Sequence, residues 1–411
     1  MSFSNKHLYL MHSKDTHTDS WVSCFGDSAE EYTTLYTGNY IHEFGVYYLH
    51  HEIEEIVKRD NISLIFLEVS TFLVNPFILQ KLKKKYKLTI VLFQLDDEFK
   101  FETLSVVYAT IADLVLSFDY VSVDRYRQSG INAHFFMHPI YIPSPEDLDK
   151  FKIEDYKVAF LGQVTGKPSR KKLIDYLIER GVEIEVIETS GSNFLERDHM
   201  HSVFRNTQIN LSFCGITDYI QSDNPLQEMK RGTKSRHLEI ASSGGFCISE
   251  YSIAASKHLE EDREIVFFTT KEDLFNKIQF YLENEGKRKE IATSARKAIK
   301  ERFSNEAVSS KLSGLIQGSR KFKGKNLYGE SLDLICSRYF AFSYIAASFP
   351  YSFRLLLKGK LRTFLLDMVK IAKFISEYIS NKSLLDGFLV FIISIYHIIK
   401  SFLAELLTSK K

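Results

Sequence analysis

Lys234, Ser235, Arg236 and Glu239 stand within one short stretch, and their types and spacing suit one kind of chemistry. If residues 234–243 form a helix, Ser235, Arg236 and Glu239 lie three to four positions apart and share a face of its first turns. Cations at a helix start oppose the helix dipole and favour helix stability poorly. They favour a bound diphosphate well, because the dipole, the exposed backbone N–H groups and both cations all attract its charge. Glu239, one turn further on, is placed to accept hydrogen bonds from the hydroxyls of an attached ribose. A solvated polar face on an ordinary helix is the other reading of the same residues, and the pattern is short enough to allow it.

The elements that would position this group can be read around it. Residues 234–243 make a helix of about three turns, Gly244-Gly245 is a left-handed stop, and 246–249 is an apolar run of the kind found inside a sheet. Upstream, strands are expected over 7–11, 62–67, 88–95, 113–118 and 133–137, alternating with helices over 47–59, 76–86, 101–111 and 121–129. Near-continuous apolar strands separated by helices imply a parallel sheet covered on both faces. Residues 140–155, with Pro143, Pro145 and several carboxylates, read as an extended hinge. A second α/β unit follows, with strands over 158–162, 182–187, 209–213, 246–249 and 265–268. Its helices run to Glu179, over 201–208, from a Thr270-Lys-Glu-Asp273 capping box to Tyr281, and over 287–303. The expected domains are 1–142, 156–318 and a helical extension over 327–411.

Other groups sit where the strands of such sheets end, the side that faces the ligand crevice. The loop after the first strand holds His12, Asp15, His17 and Asp19. The 88–95 strand runs into Asp96-Asp97-Glu98; Asp96 is a candidate for acceptor binding or base catalysis, and a helix N-cap is the plainer reading. Gly162 to Lys167 is a glycine-containing βα turn able to pass close to a phosphate, though it is not a Walker motif. Residues 215–232 form a long irregular loop leading into the 234–243 helix, of a length often tied to function.

The Lys-x-Arg-x-x-Glu-Ile-x-x-Ser-Gly-Gly stretch from Lys234 to Gly245 resembles the nucleotide-sugar-binding helix of GT-B glycosyltransferases. It is most similar to the group-1 branch that includes the spore-maturation-protein-like enzymes, and the likeness spans about residues 85–318. The resemblance implies two Rossmann-like domains facing each other across a cleft, with the donor on the second and the acceptor on the first. It implies that Lys234 and Arg236 neutralise the leaving diphosphate and that Glu239 and Ser235 hold the donor. Gly162 and Arg170 would lie near its phosphates, and Glu250 and Tyr251 near its sugar. Retaining members of the wider group carry a second glutamate eight residues before the one matched by Glu239; here that place is Arg231, which leaves the stereochemistry open. The family typically needs no bound metal, so Asp96-Asp97 is not expected to be a metal site, and no cofactor beyond the sugar-nucleotide co-substrate is expected.

Composition narrows the class. The 411 residues are 45% apolar and 26% charged, a globular balance. The formal charge of +1 hides an uneven distribution: residues 321–411 carry 14 Lys/Arg and 6 Asp/Glu, leaving about −7 for the body. An acidic body argues against nucleic-acid binding. Cys24, Cys214, Cys247 and Cys336 have no CxxC spacing and read as reduced thiols. The first residues lack an apolar signal core, so a cytoplasmic protein is expected. In the tail, 332–357 and 362–379 read as apolar-faced, aromatic-rich helices, and 388–399 is apolar but shorter than the ~20 residues needed to span a bilayer. With Lys358, Lys360, Arg362, Lys370 and Lys373 they suggest interfacial helices on an anionic membrane, on its inner face; a hairpin packed on the body or a partner contact is the alternative. The functional expectation is sugar transfer from a nucleotide-diphosphate sugar to a glycan or lipid-linked acceptor. A non-catalytic nucleotide-sugar sensor or membrane scaffold, and transfer of a polyol phosphate, are the other readings.

Overall fold

The computed structural model describes residues 6–14, 21–22, 25–26, 29–69, 73–151, 155–189, 195–214, 235–319, 322, 348 and 351–380. Lys234, Arg231, Asp15, His17, Asp19, Cys24 and Cys336 lie outside these residues, as do the 215–232 loop, the apolar run 388–399 and nearly all of 332–350. The chain divides into two compact units. One comprises 1–117, 121–136 and 309–411; the other comprises 118–120 and 137–308.

The first unit is built on a six-stranded sheet, with strands β1 (Lys6–Met11), β2 (Glu31–Tyr36), β3 (Leu64–Glu68), β4 (Thr89–Gln94), β5 (Leu114–Ser117) and β6 (Ala133–Phe135). The order is β2-β1-β3-β4-β5-β6 and every pairing is parallel. Helices α1 (Thr37–Phe44), α2 (Val46–Arg59) and α3 (Pro76–Tyr86) supply the crossovers before β4. Ile65 to Leu67 and Ile90 to Phe93 are all fully buried, as expected of strands covered on both faces. β2 is the exception. Its Glu-Tyr-Thr-Thr-Leu-Tyr sequence lies at the sheet edge, is half exposed, and carries no apolar run to announce it. After β4 the chain forms α4 (Asp97–Lys100), one π-helical segment (Phe101–Ser105) and α5 (Val106–Ala109). Next come α6 (Tyr120–Gln128) and β6.

The second unit begins with a correction to the hinge. Residues 140–155 contain a helix, α7 (Pro145–Asp149). Ser144 Oγ accepts from Asp147 N at 3.1 Å and Asp147 Oδ2 accepts from Ser144 N at 2.9 Å, a reciprocal capping box with proline at the first helical position. The two prolines that suggest an extended strap include the one that starts this helix. Strands β7 (Tyr156–Leu161), β8 (Ile184–Ile187), β9 (Thr207–Ser212), β10 (Cys247–Glu250) and β11 (Val266–Phe268) form a wholly parallel sheet in the order β11-β10-β9-β7-β8. The intervening helices are α8 (Pro168–Glu179), α9 (Arg197–Asn206), α10 (Arg236–Ser242) and α11 (Ile253–His258). Then come α12 (Lys271–Glu283), α13 (Glu285–Phe303) and α14 (Asn305–Ser319), the last assigned in part to each unit. Ser202 Oγ donates to Leu148 O at 2.9 Å, so α7 is held on α9. Arg302 makes a bidentate pair with buried Glu264, at 2.9 and 2.6 Å, which fixes the end of α13.

α15 (Leu361–Ser380), from the C-terminal extension, packs on α2 of the first unit. Asp367, buried, accepts from Tyr47 N at 2.8 Å and Val46 N at 3.3 Å, capping the start of α2 from a distant part of the chain. Ser352 Oγ donates to the same carboxylate at 2.7 Å. Among the described residues no helix is long and apolar enough to cross a membrane.

Candidate functional site

In an open parallel sheet, the C-terminal ends of the strands form the edge where ligands bind. In the second unit that edge carries Gly162 after β7, Glu188 after β8, Cys214 after β9, and Glu250 with Tyr251 at the end of β10. A helix joining two parallel strands runs back antiparallel to them. The first turn of α10, between β9 and β10, therefore starts on the side where the strands end.

At that start Ser235, Arg236 and Glu239 converge. Ser235 Oγ donates to Glu239 Oε1 at 2.7 Å, and Arg236 Nη1 lies 3.0 Å from Glu239 Oε2. Each carboxylate oxygen thus receives one strong donor and keeps further acceptor capacity. Arg236 is also held by the Sδ of Met200, at 2.8 Å, and by the ring of Phe204, 5.3 Å from its guanidinium carbon. Its side chain is 26% exposed and that of Glu239 19%, so the pair is set into the surface with a face left to solvent. Burial pushes the Glu239 carboxyl upward. The charge of Arg236 and the Ser235 hydroxyl are foremost in outweighing it, and they hold Glu239 below the ordinary carboxylate value. α10 is seven residues long, two turns instead of the three expected, and Ser235 is its cap in helical geometry with its hydroxyl turned to Glu239.

Behind the cluster, Ser243 Oγ donates to Glu239 O at 2.9 Å and pairs with His201 Nδ1 at 2.7 Å. Burial lowers the His201 pKa to about 4, so its ring is neutral near pH 7. Gly244, at φ +80°, ends α10. A Cβ on Gly245 would lie 2.6 Å from Phe204 O, so the absence of a side chain lets α10 and α9 approach.

Gly162 and Arg170 form a second group. Gly162 N donates to Ile187 O at 3.0 Å, and Arg170 Nη1 donates to Gln163 O at 2.8 Å with its guanidinium over Phe160. Arg170 therefore braces the loop from within. The loop amides already hold a carboxylate: Glu188 Oε1 accepts from Thr165 N at 2.8 Å and Val164 N at 3.3 Å. The hydrogen bonds from Thr165 lower the Glu188 pKa. The glycine with positive φ is Gly166, at +75°.

Glu250 and Tyr251 form a third group. Glu250 Oε2 accepts from Cys214 N at 3.0 Å, tying the end of β10 to the end of β9 where the 215–234 segment begins. Tyr251 is 38% exposed and rests edge-on against Phe267. Cys214 and Cys247 are buried free thiols; burial raises Cys247 far above the usual thiol range.

Asp96 belongs to the first unit. It precedes α4 without a side-chain cap bond, pairs with Lys100 at 3.6 Å, and is 39% exposed. Its neighbour Asp97 is fully buried and accepts from Tyr126 OH at 3.1 Å, a structural tie between α4 and α6. His12 gives its backbone N–H to Glu68 Oε2 at 2.9 Å. Among the described residues, no group of three or more His, Cys, Asp or Glu side chains is arranged to hold a metal ion.

His201, Met200 and Glu188 were not among the residues singled out from sequence. Glu188 had a signal, a carboxylate directly after an apolar strand. His201 and Met200 had none, since they reach the cluster only through the packing of α9 on α10.

Residues 163–313 match the model of a family described as glycosyl transferase-like. Among solved structures, HepE of Anabaena in complex with UDP-glucose aligns over 76% of this chain and 99% of its own, at 14% identity and a TM-score of 0.54. Sucrose-phosphate synthase of Thermosynechococcus elongatus aligns over 78% and 100%, at 10% identity and 0.52. A glycosyltransferase of Rickettsia africae aligns over 78% and 100%, at 10% and 0.50. No curated protein matches the chain. The fold is that of GT-B glycosyltransferases; the stretch similar to the glycosyl transferase-like family, residues 163–313, falls almost wholly in the second unit, and the described part of the C-terminal region is helical.

Proposed function

We propose that this chain is a glycosyltransferase that takes a sugar from a nucleotide-diphosphate donor and passes it to a glycan or lipid-linked acceptor in the synthesis of a cell-surface polysaccharide or glycoconjugate. The contact of Ser235 and Arg236 with Glu239 carries the reading. It sets a cation and a carboxylate with remaining acceptor capacity at the start of one helix, within the stretch that matches the glycosyl transferase-like family. HepE, which shares the fold, was solved with UDP-glucose, and this supports a nucleotide-sugar as the donor class.

In the proposed mechanism the ribose hydroxyls donate to Glu239, which Ser235 and Arg236 hold ionised and in place. Arg236, joined by Lys234, stabilises the charge that builds on the diphosphate as the glycosidic bond breaks. A cation that acts on charge present only as the bond breaks lowers the barrier and not merely the Michaelis constant. Glu250 and Tyr251 flank the sugar, and the Gly162 loop and Arg170 line the phosphate path. Nothing in this scheme requires a metal ion.

A non-catalytic sugar-nucleotide binder is the second reading, favoured by Arg231 at the place of the family's other glutamate. Incubation with a panel of radiolabelled nucleotide-sugars and a glycan extract separates the two. Transfer or donor hydrolysis, lost in Arg236→Ala, supports catalysis. Binding with neither reaction supports the second reading, and wild-type rates in Arg236→Ala remove the mechanism.

A further inference from the structure

Within the C-terminal extension, residues 351–371 are held against the first unit on one side and carry exposed side chains on the other. On the held side, Asp367 and Ser352 are buried against the start of α2, Lys360 Nζ donates to Glu43 O at 2.6 Å, and Leu355 and Ile371 are buried. On the bare side Leu357, Leu361, Leu365 and Val369 are 70%, 55%, 52% and 65% exposed. Their spacing of four places the last three in one row along α15, and Leu357 continues it beyond the turn at Gly359. Large apolar side chains gathered in a row mark a contact surface, whereas scattered single ones do not.

Along residues 351–371 the exposed charges have one sign. Arg354, Lys358, Lys360 and Arg362 are exposed. Asp367, the one carboxylate between 351 and 371, is on the buried side. An apolar stripe rimmed by cations complements an anionic headgroup layer lying over acyl chains. A second copy of the same surface fits worse, because a two-fold contact would bring the like-charged rims together.

We infer that this face of residues 354–369 lies in the headgroup–acyl boundary of an anionic bilayer and holds the chain at a lipid surface. The four apolar side chains enter the boundary, and Arg354, Lys358 and Arg362 meet the lipid phosphates. The inference rests on the docking of the extension and not on the sugar-transfer reading, so either can fail without the other.

The test is co-sedimentation of the full chain with vesicles of phosphatidylcholine alone or mixed with phosphatidylglycerol. Binding to the mixed vesicles, weakened by salt, is expected, with little to the neutral ones. Leu361→Asp combined with Leu365→Asp should lower partitioning at least ten-fold while melting temperature and nucleotide binding stay unchanged, since both side chains already face water. Lys358→Ser with Arg362→Ser should lower binding to the mixed vesicles several-fold and flatten its salt dependence. Undiminished partitioning of the Leu361/Leu365 variant, or no binding to either vesicle, overturns the inference. A dimer of the parent chain that the same variant dissociates would also overturn it, by assigning the face to a second copy.

Discussion

Arg236 and Glu239 neutralise one another at the site, so each residue has two consequences when changed. Arg236→Ala removes a charge proposed to act on the leaving diphosphate, and a loss of about 100-fold or more in kcat is expected. It also leaves Glu239 set into the surface without its cation, at a cost of about 1–2 kcal/mol of stability once solvent exposure is allowed for. Steady-state kinetics and a melting curve on the same sample separate the two effects. Titration supplies a further test through His201. Its folded pKa of about 4 lies below the ordinary 6.5, so between these values the unfolded chain binds more protons than the folded one. Stability must then rise with pH across that window and fall as pH drops through it, by at most about 1.4 kcal/mol per pH unit. Buried His50, lowered to about 3, adds the same sign in the first unit. His201→Phe should therefore show a shallower loss of melting temperature from pH 6.5 to pH 4 than the parent; equal slopes would refute the assignment.

Elements show where sequence periodicity is sufficient and where it is not. The expected 76–86 helix is observed at Pro76–Tyr86, with Asn75 accepting from Phe77 N at 2.9 Å, because an N-cap and a proline at the first position mark its start. α7 has the same kind of signal in Ser144-Pro-Glu-Asp147, yet it is short and sits among prolines that also suit an extended strap. The π-helical segment Phe101–Ser105 has no local signature at all. At the α10 stop, Gly245→Ala would press a methyl group toward Phe204 O. A destabilisation of about 1–3 kcal/mol is expected, since a carbonyl in a packed helix has little room to yield. A melting temperature unchanged in that variant would mean that the α9–α10 contact has room for a methyl group at Gly245.

At the scale of the whole molecule, two units with separate sheets and cores are expected to unfold as more than one cooperative step. A ligand raises the stability of the state that binds it, by about 2.7 kcal/mol at a hundred times its Kd. A nucleoside diphosphate should therefore raise the calorimetric transition of the second unit, and Glu239→Ala should abolish the shift. Indifference of both transitions to every nucleoside diphosphate would remove the donor assignment. Asp367 gives the corresponding test for the first unit. Asp367→Ala strips the cap from α2 and should lower that unit's transition, with the nucleotide response of the other unit intact.

Local pattern was enough for the class of fold. Apolar runs separated by amphipathic helices permit few arrangements other than parallel sheets, and the Lys234 to Gly245 spacing brings Ser235, Arg236 and Glu239 together because helix geometry alone places them on one face. What only tertiary structure decided are contacts between residues far apart in the chain. Met200 reaches Arg236 and His201 reaches Ser243 through helix packing, Glu188 closes on the amides of the Gly162 loop, and Asp367 caps a helix more than three hundred residues away. Periodicity reports which face of an element is buried, not which other element covers it, so these pairings had no trace in the sequence, even where one partner, Glu188, stands out as a carboxylate directly after an apolar strand.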